Sequence, residues 1–334
     1  MFKKTIIIAE AGVNHNGSIK KALQLIDKAA QAGADIVKFQ ITNPENISQT
    51  AKKASYQKKN SRDKENQYEM VKKFHLDWKR FHPILIKRCK EQKIEFLTSV
   101  FDKDAVNELI NLKIKKIKIP SGEITNIPLL KHVGRFNRKI ILSTGASTIK
   151  EISFALKILI KSGTYKKNIT LLHCNSAYPT PFKDVNLNVI ESLKKKYKIN
   201  VGLSDHTLGI EIPIAAAALG INIIEKHFTL NKNLNGPDHK ISLEPEELKR
   251  MIISIRNVEI ALGGSKKVPT PSEIKNINLI RQSVTAIKQI KKGDLFNSKN
   301  IGLRRPNYGL PPIILEKLYN KKSKKNYYTE QQIK

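Results

Sequence analysis

Three pairs of residues spaced i, i+2 carry chemistry in this sequence: Lys38 with Gln40, Ser204 with His206, and Glu225 with His227. On a strand that spacing puts both members on one face. A buried lysine is costly unless an anion meets it, so Lys38 and Lys118, with Ser121 and Gly122 nearby, suggest a place for a phosphate and a carboxylate. The imidazoles of His206 and His227 could bind one divalent ion, and Asp205, Glu225 and Asp238 could orient them. Two nitrogens with open positions suit an octahedral first-row ion such as Mn²⁺ better than a closed zinc site. Without a fixed local spacing, the same two histidines also read as satisfied core residues. Cys174 reads as a packed thiol rather than a nucleophile.

These residues need elements that bring them together. Short apolar, β-branched runs recur at 5–9, 35–40, 95–101, 116–120, 139–144, 170–174, 201–206 and 221–228. Amphipathic stretches at 19–32, 68–91, 103–112, 150–162, 211–219 and 245–262 lie between them. Eight strand and helix units match a (β/α)8 TIM barrel, whose active site forms at the C-terminal strand ends. There stand Glu10, Lys38, Gln40, Ser99, Lys118, Ser121, Glu123, Ser143, Asn175, Ser176, Tyr178, Ser204, His206 and His227. Polar residues at one strand end could merely meet solvent; at eight consecutive ends a site is the stronger reading. Residues 41–65 form a long polar stretch that reads as an active-site loop.

The barrel is expected over 1–263, with Gly and Pro marking a linker at 264–280. Residues 281–334 carry strand-like runs at 283–286 and 300–303. So small a domain has a marginal core and is expected to lean on the barrel or on a second subunit.

The chain has 334 residues and a net charge of +32. The charge invites a nucleic-acid reading, but it is mostly lysine dispersed through nearly every segment, and no zinc-finger, RNP or basic-zipper pattern accompanies it. No specific nucleic acid is expected. The apolar run after Lys4 is too short for a signal peptide, and no stretch approaches a membrane span. Two cysteines, Cys89 and Cys174, build no disulfide framework, so a cytoplasmic protein is expected.

The motifs Ile8-Ala9-Glu10-Ala11-Gly12-Val13-Asn14-His15-Asn16-Gly17, Lys118-Ile119-Pro120-Ser121-Gly122-Glu123, Gly202-Leu203-Ser204-Asp205-His206-Thr207, Glu225-Lys226-His227-Phe228 and Gly236-Pro237-Asp238-His239 resemble the N-acylneuraminate (sialic acid) synthase family. The resemblance runs nearly end to end. It implies condensation of phosphoenolpyruvate with an N-acylmannosamine and water, releasing phosphate. Lys38, Ser99, Lys118, Ser121, Ser143 and Ser204 would hold phosphoenolpyruvate, with Asn175 or Ser176 as a further contact. His206 and His227 would hold Mn²⁺, or Mg²⁺ or Co²⁺ in its place. Gln40, Tyr178 and Asp238 would hold sugar hydroxyls; Glu10 and Glu123 are the acid and base candidates.

The tail is similar to the family's type III antifreeze-like (SAF, β-clip) domain. Its Arg305 would reach the neighbouring subunit's site, which implies a domain-swapped homodimer. Leu318-Tyr319-Asn320-Lys321 stands where a glycine is usual before the lysine, which implies less ordered last turns. The sugar expected first is N-acetylmannosamine, giving N-acetylneuraminate; the alternative is a 2,4-diacetamido-2,4,6-trideoxymannose, giving N,N'-diacetyllegionaminate. A synthase acting on another phosphorylated aldose would leave the tail and Asp238 without purpose.

Overall fold

The computed structural model describes residues 4–60 and 65–334. Eight parallel strands close into a barrel: β1 (Ile6–Gly12), β2 (Ile36–Ile41), β3 (Glu95–Val100), β4 (Lys116–Ile119), β5 (Lys139–Ser143), β6 (Ile169–Cys174), β7 (Asn200–Asp205) and β8 (Ile223–His227), each beside its sequence neighbour and β8 beside β1. The runs read from the sequence all fall on these strands.

Strand alternation explains why the barrel holds a polar site over an apolar floor. Ile8, Ile36, Leu97, Ile141, Leu172 and Ile223 form one buried cluster inside the barrel. Two residues further along each strand, on the same face, stand Glu10, Lys38, Ser99, Ser143, Cys174 and Glu225. Residues of the opposite parity, among them Ile7, Ala9, Val37, Phe39, Ile117, Leu142, Leu171 and Ile224, pack outward in the core shared with the helices.

Local signals set the helix limits. Helix α1 (Ile19–Ala32) starts at Ser18, whose side chain accepts from the Lys21 N–H, and stops at Gly33, whose φ of 89° suits glycine. Its Ala22, Leu25, Ile26 and Ala29, spaced three and four apart, are buried. The excursion after β2 is less open than its polar composition implies: α2 (Ser55–Asn60) and α3 (Gln67–Phe74) lie within or beside it. The amphipathic run 68–91 is two helices rather than one. Asp77 accepts from the Arg80 N–H and starts α4 (Trp78–Glu91) afresh. Then come α5 (Lys103–Asn111), α6 (Ile127–Gly134), α7 (Ile149–Lys161), α8 (Val189–Tyr197), α9 (Glu211–Ala218) and α10 (Pro245–Ala261). Helices α6 and α8 had no counterpart in the pattern reading, because one is only eight residues long and opens on a proline and the other carries a lysine run.

The chain separates into two compact units, Met1–Gly263 and Gly264–Lys334. In the second, two four-residue helices, α11 (Pro271–Ile274) and α12 (Ile277–Ile280), precede an antiparallel pair, β9 (Ser283–Ala286) and β10 (Ile301–Arg304), and α13 (Leu315–Leu318) follows. Val284, Ala286, Ile290, Phe296, Ile301, Tyr327 and Ile333 form its own small core. Asn320 sits at φ 64° and its N–H donates to the Phe296 carbonyl at 2.8 Å. Asparagine tolerates that left-handed conformation, so the turn keeps its form without glycine.

Candidate active site

The C-terminal strand ends open into a cavity of about 720 Å³. Lys38, Gln40, Ser99, Lys118, Ser121, Glu123, Ser143, Ser176, Tyr178, Ser204, His206, His227, Asp238 and Glu10 all line it. Register brings them level: Glu10 pairs with Lys38 and with His227, Gln40 with Ser99, Ser99 with Lys118, and Ser204 with Glu225.

At the floor, two carboxylates and two lysines share one network. The Lys38 ammonium lies 3.0 Å from Glu10 Oε1 and 3.6 Å from Glu225 Oε1, and donates to Ser99 Oγ at 3.0 Å. Lys118 Nζ lies 3.4 Å from the same Glu225 oxygen, to which Ser204 Oγ donates at 3.0 Å. Gln40 Nε2 donates to Glu10 Oε1 at 2.9 Å. Burial alone would raise the Glu225 carboxyl, but Lys118 and Lys38 override it and pull it down to about 2. Burial raises Glu10 above the usual carboxylate range, against Lys38 and helped by Glu225. Burial lowers Lys118, whereas in Lys38 the two carboxylates outweigh it. Of the two carboxylates, Glu10 is the one pushed toward its protonated form, which suits the floor to an anionic ligand on the two lysines. Unpaired buried atoms agree: Glu10 Oε2, Glu225 Oε2, Ser143 Oγ and His227 Nδ1 have no hydrogen-bond partner among the described residues.

Beside the lysines lies a ring of hydroxyls. The Gly145 N–H donates to Ser121 Oγ at 2.9 Å, and a Cβ on Gly145 would collide with Ser176 Oγ and crowd Ser121 Oγ at 2.9 Å. Glycine is needed there so that these oxygens can converge. Ser176, rather than Asn175, faces the cavity. Asn175 was expected as a possible substrate contact, but its side chain is spent on its own turn: Nδ2 donates to the Asp184 carbonyl and Oδ1 accepts from the Ala177 N–H.

The two imidazoles stand with ring centroids 5.4 Å apart, and Tyr178 packs against both, at 4.1 Å from His206 and 5.9 Å from His227. His206 Nδ1 donates to the Asn175 carbonyl at 2.6 Å, which orients the ring and leaves Nε2 for another partner, and against its burial Cys174 and that carbonyl raise the ring above the usual histidine value. Burial, with His206 and Lys38 adding, holds His227 well below the usual histidine value, so its ring is neutral. A neutral ring with an unpartnered buried nitrogen beside a second ring with a free Nε2 fits a cation that takes its other ligands from substrate or water. Among the described residues no group of three or more His, Cys, Asp or Glu could hold a metal.

Asp205 and Glu225, expected to orient the histidines, do other work. Asp205 has the outward parity of β7 and accepts from Lys226 Nζ, from the Thr207 N–H and from Thr207 Oγ1. Glu225 is the counterion of the lysines. Glu123 lies at the rim, accepting from Asn126 Nδ2 at 2.6 Å. Arg305 belongs to the second unit, where it is exposed immediately after β10.

Sequence reasoning missed Tyr56. It lies on α2 and stacks on Tyr178 with centroids 4.8 Å apart. Its helix is tied across the mouth by Asn60 Nδ2, which donates to the Pro237 carbonyl at 2.8 Å. The aromatic in an otherwise polar loop was the available signal.

This chain matches the NeuB family over residues 25–267. It belongs to that family. It is 50% identical over 333 residues to the N,N'-diacetyllegionaminic acid synthase of Campylobacter jejuni, covering 99% of both chains. It is 40% identical over 309 residues to the enzyme of the same name from Legionella pneumophila, covering 92% of this chain and 86% of that one. The crystal structure of N-acetylneuraminic acid (sialic acid) synthetase from Leptospira borgpetersenii superposes with a TM-score of 0.72 at 37% identity, covering 82% of this chain and 90% of that chain. The protein is thus an enzyme of the sialic-acid-like synthase class. No helix among the described residues is long and apolar enough to cross a membrane.

Proposed function

We propose that this protein condenses phosphoenolpyruvate with 2,4-diacetamido-2,4,6-trideoxymannose and water, giving N,N'-diacetyllegionaminate and phosphate. The observation that carries the reaction type is the buried pair Lys38 and Lys118 sharing one carboxylate, ringed by Ser99, Ser121, Ser143, Ser176 and Ser204, beside two imidazoles in one cavity. The choice of sugar rests on the relatives at 50% and 40% identity, and it displaces the N-acetylneuraminate reading expected first from the sequence. That reading stays as the second, favoured by the likeness to the Leptospira structure.

Lys118 and Lys38 neutralise phosphate and carboxylate and hold C3 of the enol facing the sugar aldehyde. A divalent cation between His206 and His227, Mn²⁺ or in its place Mg²⁺ or Co²⁺, would supply Lewis acidity at the aldehyde oxygen. C3 bonds to the sugar's C1, and the aldehyde oxygen takes a proton from Glu10, whose carboxyl burial raises above the usual range. Water adds at C2 and gives its proton to Glu123 at the rim. The C2–O bond to phosphate then breaks as the new C2 hydroxyl passes its proton to the departing phosphate, leaving a nine-carbon 2-keto acid. Asp238, Gln40 and Tyr178 would bind sugar hydroxyls. From the family resemblance, the second unit is an antifreeze-like domain whose Arg305 would serve the site of a partner subunit.

The test is phosphate release by purified protein with phosphoenolpyruvate, Mn²⁺ and either sugar, with the product identified by mass spectrometry. Turnover of the diacetamido sugar is expected. Phosphate release with N-acetylmannosamine alone would establish the second reading, and none with either sugar would overturn the condensation.

A further inference from the structure

Every charged side chain lining the cavity comes from a strand end or the short segment after it: Glu10, Lys38, Lys118, Glu123, Glu225 and Asp238. The excursion between β2 and α4 contributes a different surface. Although it carries several lysines, none of its described lysines lines the cavity. It presents instead Ile47, Met70, Val71, Phe74 and Leu76 with the amide of Gln67; of the polar residues beside them, Asn46 Nδ2 donates to Asp102 and His75 Nδ1 to the Thr42 carbonyl. Met70 and Phe74 are 4% and 6% exposed, so this is a packed wall and not a loose flap. The Gln57 amide is spent on the Ala54 N–H and Tyr56 Oη. The Gln67 side-chain amide has no hydrogen bond to any described residue.

The wall also has a direction. Tyr178 packs on His206, and Tyr56 of α2 stacks on Tyr178, so the aromatic pair leads from the imidazoles to the excursion. Under the proposed condensation, a sugar whose C1 reacts beside His206 and His227 would lay its far end along these rings toward the excursion, whose other cavity-lining side chains include Ile47 and those of α3. The far end of an open-chain hexose is C4 to C6.

We propose that the wall formed by Ile47, Gln67, Met70, Val71 and Phe74 is the subsite that selects the substrate, taking a C6 methyl against its aliphatic side chains and a C4 acetamido group on the Gln67 amide. This rests on the condensation proposed above and assigns its sugar specificity to one face of the site. A C6 hydroxyl laid on the side chains of Ile47, Met70, Val71 and Phe74 would lose water without gaining a partner from them, whereas a methyl loses nothing. Lysines there would have favoured hydroxyl or phosphate groups, and the fold turns them away.

The experiment compares kcat/KM for three acceptors with the wild-type chain: N-acetylmannosamine, 2-acetamido-2,6-dideoxymannose and 2,4-diacetamido-2,4,6-trideoxymannose. The first two differ by one oxygen. An apolar pocket discriminates against an added hydroxyl by up to about a hundred-fold, and a rise of about ten-fold is expected at each step. Val71→Thr, similar in shape but carrying a hydroxyl that can partner the sugar's, should shrink the first step to below about three-fold, and Gln67→Ala should shrink the second, both leaving the phosphoenolpyruvate KM unchanged. Equal kcat/KM for N-acetylmannosamine and its 6-deoxy analogue would overturn the proposal while leaving the condensation standing. No phosphate release from any of the three would overturn both.

Discussion

His239 Nε2 lies 3.1 Å from Asn16 Oδ1 and joins two loops 223 residues apart. The Asn16 amide is oriented by its other end, where Nδ2 donates to the Asn235 carbonyl at 2.9 Å, so Oδ1 must accept and His239 Nε2 must donate. His239 Nδ1 then accepts from Thr229 Oγ1 at 2.6 Å. Gly236 leaves room for this bond: a Cβ there would lie 2.7 Å from His239 Cδ2 and 3.0 Å from Asn16 Oδ1. Asn14 Nδ2 donates to the Phe228 carbonyl and to Ser242 Oγ, and Ser242 Oγ donates to the Asp238 carbonyl. The two motifs form one brace around Asp238.

Breaking the brace should therefore act on the sugar. His239→Ala is expected to raise the sugar KM about ten-fold, the scale of one or two net hydrogen bonds, with the phosphoenolpyruvate KM within two-fold of wild type. Steady-state kinetics with each substrate varied in turn checks this. Equal rises in both constants would mean that the brace supports the whole barrel rather than Asp238.

Glu225 makes a second prediction possible because its two lysines have a substitute partner. Glu225→Gln leaves Lys38 and Lys118 facing each other with only Glu10 between, and should cost about 3 kcal/mol of stability. An anion on the lysines would restore the missing charge. Phosphoenolpyruvate or inorganic phosphate is thus expected to raise the melting temperature of Glu225→Gln more than that of the wild type. Equal ligand shifts in the two proteins would place the anion elsewhere.

The barrel and most of its polar ring were legible because alternation is local: Ile8 and Glu10, or Ile36 and Lys38, reveal floor and site within three residues. What sequence could not show was which partner each group would find. Glu225 read as a helper of His227 because the two are neighbours, yet the lysines that claim it arrive from β2 and β4. Asn175 read as a contact, in alternation with Ser176, because it follows β6 where the family resemblance puts a polar contact, but its amide closes a local turn. The wall of α3 was hidden because its apolar residues are few among lysines, and the bond from Asn60 to Pro237 spans 177 residues.

If His206 and His227 hold the cation of the proposed reaction, two imidazoles among the described residues should bind it reversibly and release it to a chelator. His206→Ala and His227→Ala should each lose Mn²⁺ binding by calorimetry and abolish turnover while keeping the wild-type circular dichroism spectrum. Full activity of either variant, or of protein stripped of metal, would refute the metal assignment.

Asp238 gives stability a pH dependence whose sign follows from burial. Burial, with Glu10 adding, raises its carboxyl from 3.8 to about 7. Below the unfolded value the residue is protonated in both states and contributes nothing. Between about pH 4 and pH 7 the unfolded chain ionises while the folded one keeps its proton, so stability falls as pH rises; above about 7 the penalty is constant. Asp238→Asn removes the titration. Its melting temperature should therefore gain on the wild type between pH 4 and pH 7 and keep that lead at pH 8, an advantage of at most about 4 kcal/mol. The melts are run with chelator present, so that no bound cation holds the carboxylate ionised. A lead that shrinks as pH rises would show that Asp238 is stabilised as its anion in the folded enzyme.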